Sequence, residues 1–401
     1  MKVLLISQYF FPENFKINDL IFSLKERGHQ ITVLTGKPNY SKTHFFEDYG
    51  WKSDDFEIIN EIPVYRANLF SRRNGGALRL FLNYFSFALL ASLKLRKIKG
   101  PFDAIFVYEP SPITVGIPAI FAKKKFNSPI YFWAQDLWPE SLVAAGGVKN
   151  KFILGFFNSL TKWIYNHSQK VLIQSNGFKE YILNQGIPSD KIIFYPNPTE
   201  DFYKPLHEVK EYQEFFKKEN FNIIFAGNIG EAQSFITIID AISNIKSLPV
   251  KVTILGDGRY KETAIGLIKD KGLESHFNFL GSFPPTEMPK FFSHADALLV
   301  SLKKDKIFSL TIPAKIQSYL ACGKPIIASI DGEGAKIVSE ANCGVTSPAE
   351  DSIALSNIIK ELIALDKSTL VDMGNNGRVY YEKEFDRNYL LDRLEKIFFS
   401  H

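Results

Sequence analysis

Short apolar, β-branched runs alternate along the chain with stretches whose apolar positions recur every three or four residues. In the first half the runs fall at 2–6, 30–35, 103–107, 129–133 and 170–174. Helical periodicity occupies 14–27, 76–97, 112–125, 149–166 and 177–184. In the second half the runs fall at 222–226, 251–255, 278–280, 297–300 and 325–328. Most are continuously apolar, the pattern of parallel strands covered on both faces. Such alternation predicts an α/β fold with a doubly wound parallel sheet, and it occurs twice. The segment 194–206 (FYPNPTEDFYKPL) lies between the two sets, and its prolines and acids stop both helix and strand. The expected organisation is a Rossmann-like domain over 1–195, a stiff hinge at 196–206 and a second Rossmann-like domain over 207–380, facing each other across a cleft. The last stretch, 381–401, carries Phe385, Leu390, Leu394, Ile397 and Phe398, and is expected to form a helix that packs back across the hinge.

Composition agrees with this picture: 401 residues suit two domains of roughly 200, and 45% hydrophobic with 23% charged residues is ordinary for a globular chain. The two cysteines, Cys322 and Cys343, lack metal-ligand spacing and fit a reducing compartment. The opening MKVLLISQYFFPE reads as a first strand and not as a signal peptide. The longest uncharged run, 80–93, is 14 residues, short of the roughly 18–20 that cross a bilayer. Charge is uneven. Residues 1–200 hold 24 Lys and Arg against 16 Asp and Glu; residues 201–401 hold 24 against 27. The basic half is expected to meet something anionic, a membrane surface or a phosphorylated acceptor sooner than nucleic acid. Two of its helices, 78–95 and 151–166, combine Phe, Tyr, Leu and Trp with basic flanks that include Arg72, Arg79, Arg96 and Lys162, as interfacial helices do. Burial of one apolar stripe against the sheet explains part of the same pattern. The expected location is the cytoplasm, at the inner face of the cell membrane.

Ligands of open parallel sheets bind beyond the carboxyl ends of the strands, so the loops there are the candidates. In the second half three successive strand ends carry glycine: Gly227-Asn228-Ile229-Gly230 with Gln233, Gly256-Asp257-Gly258-Arg259, and Gly281-Ser282-Phe283. Glycine permits close backbone approach to a phosphate, Arg259 suits phosphate, and Phe283 suits a nucleobase. Together they read as a nucleotide site. Pro313 and Ala314 open a helix in which Lys315 lies in the first turn, where a cation opposes the helix dipole. A bound diphosphate removes that conflict, so Lys315 is the expected phosphate ligand. Glu333, in the turn Asp331-Gly332-Glu333-Gly334, is a candidate for sugar hydroxyls.

In the first half, Trp133-Ala134-Gln135-Asp136-Leu137-Trp138-Pro139-Glu140 follows a buried strand. Aromatic rings beside carboxylates suit carbohydrate. Asp136 is expected to orient an acceptor hydroxyl, or else to cap the turn after it. Glu109, Trp138, Pro12, Glu13 and Asn14 are further acceptor candidates. No D-x-D triplet occurs, so no metal and no cofactor beyond the donor itself is expected; protein cations and helix ends must neutralise the leaving group.

On these residues the chain resembles bacterial family-four retaining glycosyltransferases of the GT-B fold, most of all the WbuB-like fucosamine-transferase subgroup. The stretches that carry the resemblance are 8–13, Arg27-Gly28-His29, 34–40, 135–140, Gly227-Asn228-Ile229-Gly230 with Gln233, 313–323 and 331–334. The resemblance implies transfer, with retention, from a UDP-linked N-acetylated hexosamine, 6-deoxy in one version, to an undecaprenyl-diphosphate-linked saccharide. The chain departs from the wider family at its paired glutamates, where Ile307 and Lys315 stand, and at its phosphate-binding Arg and Lys, where Asn228 and Gln233 stand. A UDP-sugar epimerase of the same architecture and a non-catalytic nucleotide-sugar-binding module are the competing readings.

Overall fold

The computed structural model describes all residues except 41–43, 73–75, 147, 208 and 400–401. It divides into two compact units, Met1–Pro196 with Leu391–His401, and Asn197–Leu390.

In the first unit β1 (Lys2–Ser7), β2 (Gln30–Gly36), β3 (Phe56–Ile59), β4 (Ile62–Ala67), β5 (Ala104–Glu109), β6 (Ile130–Ala134), β7 (Lys170–Ile173) and β8 (Ile192–Phe194) form one sheet in the order β3-β4-β2-β1-β5-β6-β7-β8. All neighbours are parallel except β3 and β4. The continuous apolar runs sit at its centre, where every residue of β5 and β6 is buried. The hairpin β3–β4, absent from the sequence reading, turns through Asn60 (φ 47°) and Glu61 (φ 60°). A two-residue turn with both φ positive usually advertises itself by glycine; Glu61 gives no such signal.

The second unit holds β9 (Phe221–Ala226), β10 (Val250–Leu255), β11 (Phe277–Gly281), β12 (Ala297–Ser301), β13 (Ile326–Ser329) and β14 (Gly344–Ser347) in the order β11-β10-β9-β12-β13-β14, all parallel. Ile223, Phe225, Val252, Ile254, Leu299 and Ile327 belong to one buried cluster beneath the helix Phe235–Asn244. In both sheets the strand order reverses direction beside the first strand, at β1/β5 and at β9/β12. These are the switch points where loops diverge and leave a crevice.

The helix expected over 381–401 is interrupted at Phe385, where one helix has ended at Glu384, and the last helix is Arg387–Phe399. Its end packs into the first unit: Phe398 meets the rings of Phe106 and Tyr131, and Arg27 and His29 reach Asp392 and Glu395. The Arg27-Gly28-His29 motif is thus a docking point for the chain end. The helix Ala77–Lys94 buries Asn83, Phe87, Ala88 and Ala91 and exposes Leu78, Phe81, Leu89 and Leu93. The window Leu78–Lys97 is long and apolar enough to cross a membrane by length and composition, with 28% of it buried in the protein. The 14-residue count misses this because it stopped at single charges that the window tolerates.

Candidate functional site

At the carboxyl edge of the second sheet, β9 and β12 pair only through Ala297 with Ile223 and Leu298 with Ile224, and then part. The Tyr319 hydroxyl spans the gap, accepting from the Ala226 N–H (3.2 Å) and donating to the Leu299 carbonyl (3.3 Å). Tyr319 lies on the helix Ala314–Ala321, whose cap is Pro313 and whose second residue is Lys315. The lysine folds back over the end of β9: its Nζ is 3.8 Å from the centroid of the Phe225 ring. Gly227 has φ 133°, a backbone conformation that favours glycine, and a Cβ there would also stand 2.6 Å from the Lys315 Cε. Among the described residues no carboxylate pairs with Lys315, and burial pushes its ammonium down to about 7. A cation over an aromatic face, desolvated and beside helix amides, is a receptor for an anion.

The glycine loops play a different part from the one expected of them. The Gly227 N–H donates to the Leu255 carbonyl, the Gly256 N–H to the Gly281 carbonyl, and the Ile229 N–H to the Asp257 carbonyl. The Gly230 N–H donates to the Gln233 side chain, which also accepts from Asn228. Those amides bind protein, so they offer nothing to a phosphate in this arrangement. Gly256 is glycine because a Cβ would lie 1.9 Å from the Gly227 carbonyl oxygen. Arg259, Ser282 and Ala314 are exposed around the same edge. Phe283 packs on Tyr212 and Phe291. Glu333 is half-buried as the first residue of its helix, Glu333–Glu340, and burial raises its carboxyl. A cavity of about 1010 Å³ opens instead at the amino edge, lined by His207, Lys210, Asp296, Lys324 and Lys367 among others. Open parallel sheets bind ligands at the carboxyl edge, which makes that edge the candidate.

The first sheet's carboxyl edge is denser in polar groups, and it corrects several expectations. Glu109 is 0% exposed; burial first, and then the charge of Asp136, push its carboxyl well above the usual carboxylate range, with only partial relief from the nearby Trp138 side chain and Asp136 backbone. Trp133 and Trp138 are buried, the first donating its indole N–H to the Tyr195 carbonyl, the second packed on Phe157. Neither ring is open to a sugar. Glu13 is buried too: its Oε1 accepts from the backbone N–H groups of Asn39 (2.7 Å) and Tyr40 (2.6 Å), and burial pushes it up to about 7. It organises a loop instead of touching an acceptor. Asp136 accepts from the Leu137 N–H and the Ser141 hydroxyl, so its capping role is present. Desolvation raises its carboxyl. Pro12 is half-buried and Asn14 exposed. Among the described residues no three His, Cys, Asp or Glu side chains are grouped so as to hold a metal ion.

Residues 16–198 match the glycosyl transferase 4-like domain, and residues 208–380 match glycosyl transferases group 1. Each model takes one half of the chain, and both halves are glycosyltransferase domains: the chain is a glycosyltransferase. It is similar to the putative colanic acid biosynthesis glycosyl transferase WcaI of Escherichia coli K12, 22% identical over 98% of both chains. It is also similar to the probable glycosyltransferase WbjE of Pseudomonas aeruginosa, 26% identical over 59% of this chain and 60% of that protein's length. Among solved structures, HepE of Anabaena in complex with UDP superposes with a TM-score of 0.74 at 15% identity over all of both chains. Sucrose-phosphate synthase of Thermosynechococcus elongatus gives 0.74 at 16% over 99% and 98%. These likenesses are those of the GT-B fold. In this glycosyltransferase Tyr319 and the buried tyrosines of the first unit escaped the sequence reading, since a lone Tyr within a helix looks like core.

Proposed function

We propose that this glycosyltransferase moves an N-acetylated hexosamine from a UDP-sugar to a lipid-diphosphate-linked saccharide in the synthesis of a bacterial surface polysaccharide, with retention and without a metal, as WbuB-like enzymes are expected to do. The carrying observation is Lys315: an unpaired, desolvated cation at a helix start on the switch point of the second sheet. WcaI and WbjE support the polysaccharide context, and the UDP named with HepE supports the donor. In the step, the bond from the anomeric carbon to the donor phosphate oxygen breaks and its electron pair leaves with UDP. The acceptor oxygen bonds to the same face, and its proton passes to the departing phosphate oxygen. Lys315 stabilises the negative charge as it develops. Asp136, whose two cap hydrogen bonds both go to Oδ1, orients the acceptor hydroxyl through Oδ2; Arg259, Phe283 and Glu333 border the donor.

The acceptor's lipid suggests where the enzyme works. Phe152, 90% exposed, lies with Phe156 and Trp163 on the helix Lys151–His167, and Leu89 and Leu93 border an apolar groove of about 430 Å³ with Phe121 and Arg96. Apolar residues beside free cations suit peripheral contact with an anionic bilayer. Calorimetry of UDP binding tests the donor reading: Lys315→Ala must weaken it about 100-fold, and unchanged affinity overturns the assignment. Product formed from UDP-sugar without acceptor would instead favour an epimerase.

A further inference from the structure

The sequence places Arg72 in the basic flank of the long apolar helix. The structure sets its guanidinium among tyrosines, 4.9 Å from the ring centroid of Tyr40 and 6.0 Å from those of Tyr9 and Tyr84. One of its N–H groups donates to the Tyr9 hydroxyl (3.3 Å), and its backbone N–H donates to the Asn39 Oδ1 (3.2 Å). Asn39 is itself fastened. Its backbone donates to Glu13, its Oδ1 also accepts from the Asn83 side chain (3.0 Å), and Gln8 donates to Asn83 (2.7 Å). Gln8, Glu13, Asn39 and Asn83 are all buried. Gln8 Oε1 and Glu13 Oε2 have no hydrogen-bond partner, so the network makes the geometry specific at a cost in stability.

What the network holds still is a cation on aromatic rings. Among the described residues no carboxylate lies within ion-pair distance of Arg72. The neighbouring cations are spent: Arg66 pairs with Glu57 and donates to the Gly36 and Phe11 carbonyls, and Lys37 donates to carbonyls of the 53–54 turn. A guanidinium cannot relieve itself by losing its proton. Stacked on rings, it still presents N–H groups in its own plane, the geometry that takes two oxygens of a phosphate. We propose that Arg72, in its cage of Tyr9, Tyr40 and Tyr84, binds a phosphate of the acceptor diphosphate. This rests on the lipid-diphosphate reading of the acceptor and adds the group that recognises it.

The test is calorimetry on the full chain with geranyl diphosphate, UDP being kept saturating so that the second unit's phosphate site is filled, and with geraniol as the uncharged control. Arg72→Ala is expected to weaken geranyl diphosphate about 10-fold or more and leave geraniol unchanged. Arg72→Lys, which keeps the charge and loses the planar fork, is expected between the two. Tyr40→Leu, at a ring 41% exposed, is expected to weaken diphosphate by a few-fold. Equal affinity of wild type and Arg72→Ala for geranyl diphosphate overturns the proposal. So does a loss confined to vesicles of phosphatidylglycerol, which would make the cage a headgroup contact. Arg72-dependent binding in an enzyme that glycosylates only uncharged acceptors would instead sink the acceptor reading and leave the anion site standing.

Discussion

The two sheets present a cation at the same topological place and hold it by opposite means. In the second unit, Lys315 lies on a phenylalanine and a glycine, and nothing polar braces its ammonium. In the first, Arg72 is braced by three tyrosines and a chain of buried amides. The difference teaches how each responds to pH. Desolvation can push a lysine towards neutrality, whereas a guanidinium stays charged and must be compensated by structure. The cation of the second unit is therefore expected to be titratable near pH 7, so that anion binding there depends on pH.

The largest effect should come from removing the lysine. Lys315→Ala is expected to lower kcat/KM about 1000-fold, more than its loss in UDP affinity, because leaving-group charge is greatest in the transition state. Steady-state kinetics with a UDP-sugar checks this; equal losses in both would make Lys315 a ground-state ligand only. Stability should move the other way. Since the folded Lys315 sits near 7 and the unfolded side chain near 10.5, the unfolded state binds more protons between those values, and stability rises with pH across that window. Lys315→Met removes the cost, so its Tm without nucleotide should exceed the wild type's by about 4 °C or more at pH 7.

Gly227→Ala tests whether the lysine's seat matters. The new Cβ competes with the Lys315 Cε at 2.6 Å. UDP affinity should fall about 10-fold in calorimetry, and the double variant with Lys315→Ala should lose no more than Lys315→Ala alone. Additive losses would mean that Gly227 acts through its loop, apart from the lysine.

How far these sites could be read beforehand follows the same divide. Lys315 was legible because its chemistry is local: a proline, a helix start and a cation in the wrong place on the dipole. The parallel sheets were legible because β5, β6 and β9 are continuously apolar. The acceptor side was not. Glu13, Glu109 and Trp138 looked like ligands for sugar because carboxylates and rings near strand ends usually face solvent. Only the packing of Phe157 and Tyr84 around Trp138, and the 38–40 loop around Glu13, turns them inward. Arg72 was hidden for the same reason: two of its three rings, Tyr40 and Tyr9, are 32 and 63 residues away in sequence. Short edge strands such as β8 and β14, three and four residues long, were missed because so brief a run carries no period.

A smaller effect sharpens the comparison on the acceptor side. Glu13 has its carboxyl pushed up to about 7, so the folded state holds a proton that the unfolded chain releases near 4.5. Its contribution is full below pH 4.5 and is lost as pH rises through 7, the opposite direction to Lys315 and ending where that window begins. Glu13→Gln keeps one acceptor oxygen for the Asn39 and Tyr40 amides and removes the titration. Thermal unfolding of wild type and variant between pH 5 and 8 should show the wild type losing about 1–3 kcal/mol relative to the variant. Parallel curves would mean that Glu13 stays ionised and that its unpartnered Oε2 is reached by solvent. If the curves diverge, the loop under Tyr40 loosens with rising pH while Arg72 keeps its charge, and the cage becomes less ordered without becoming less cationic.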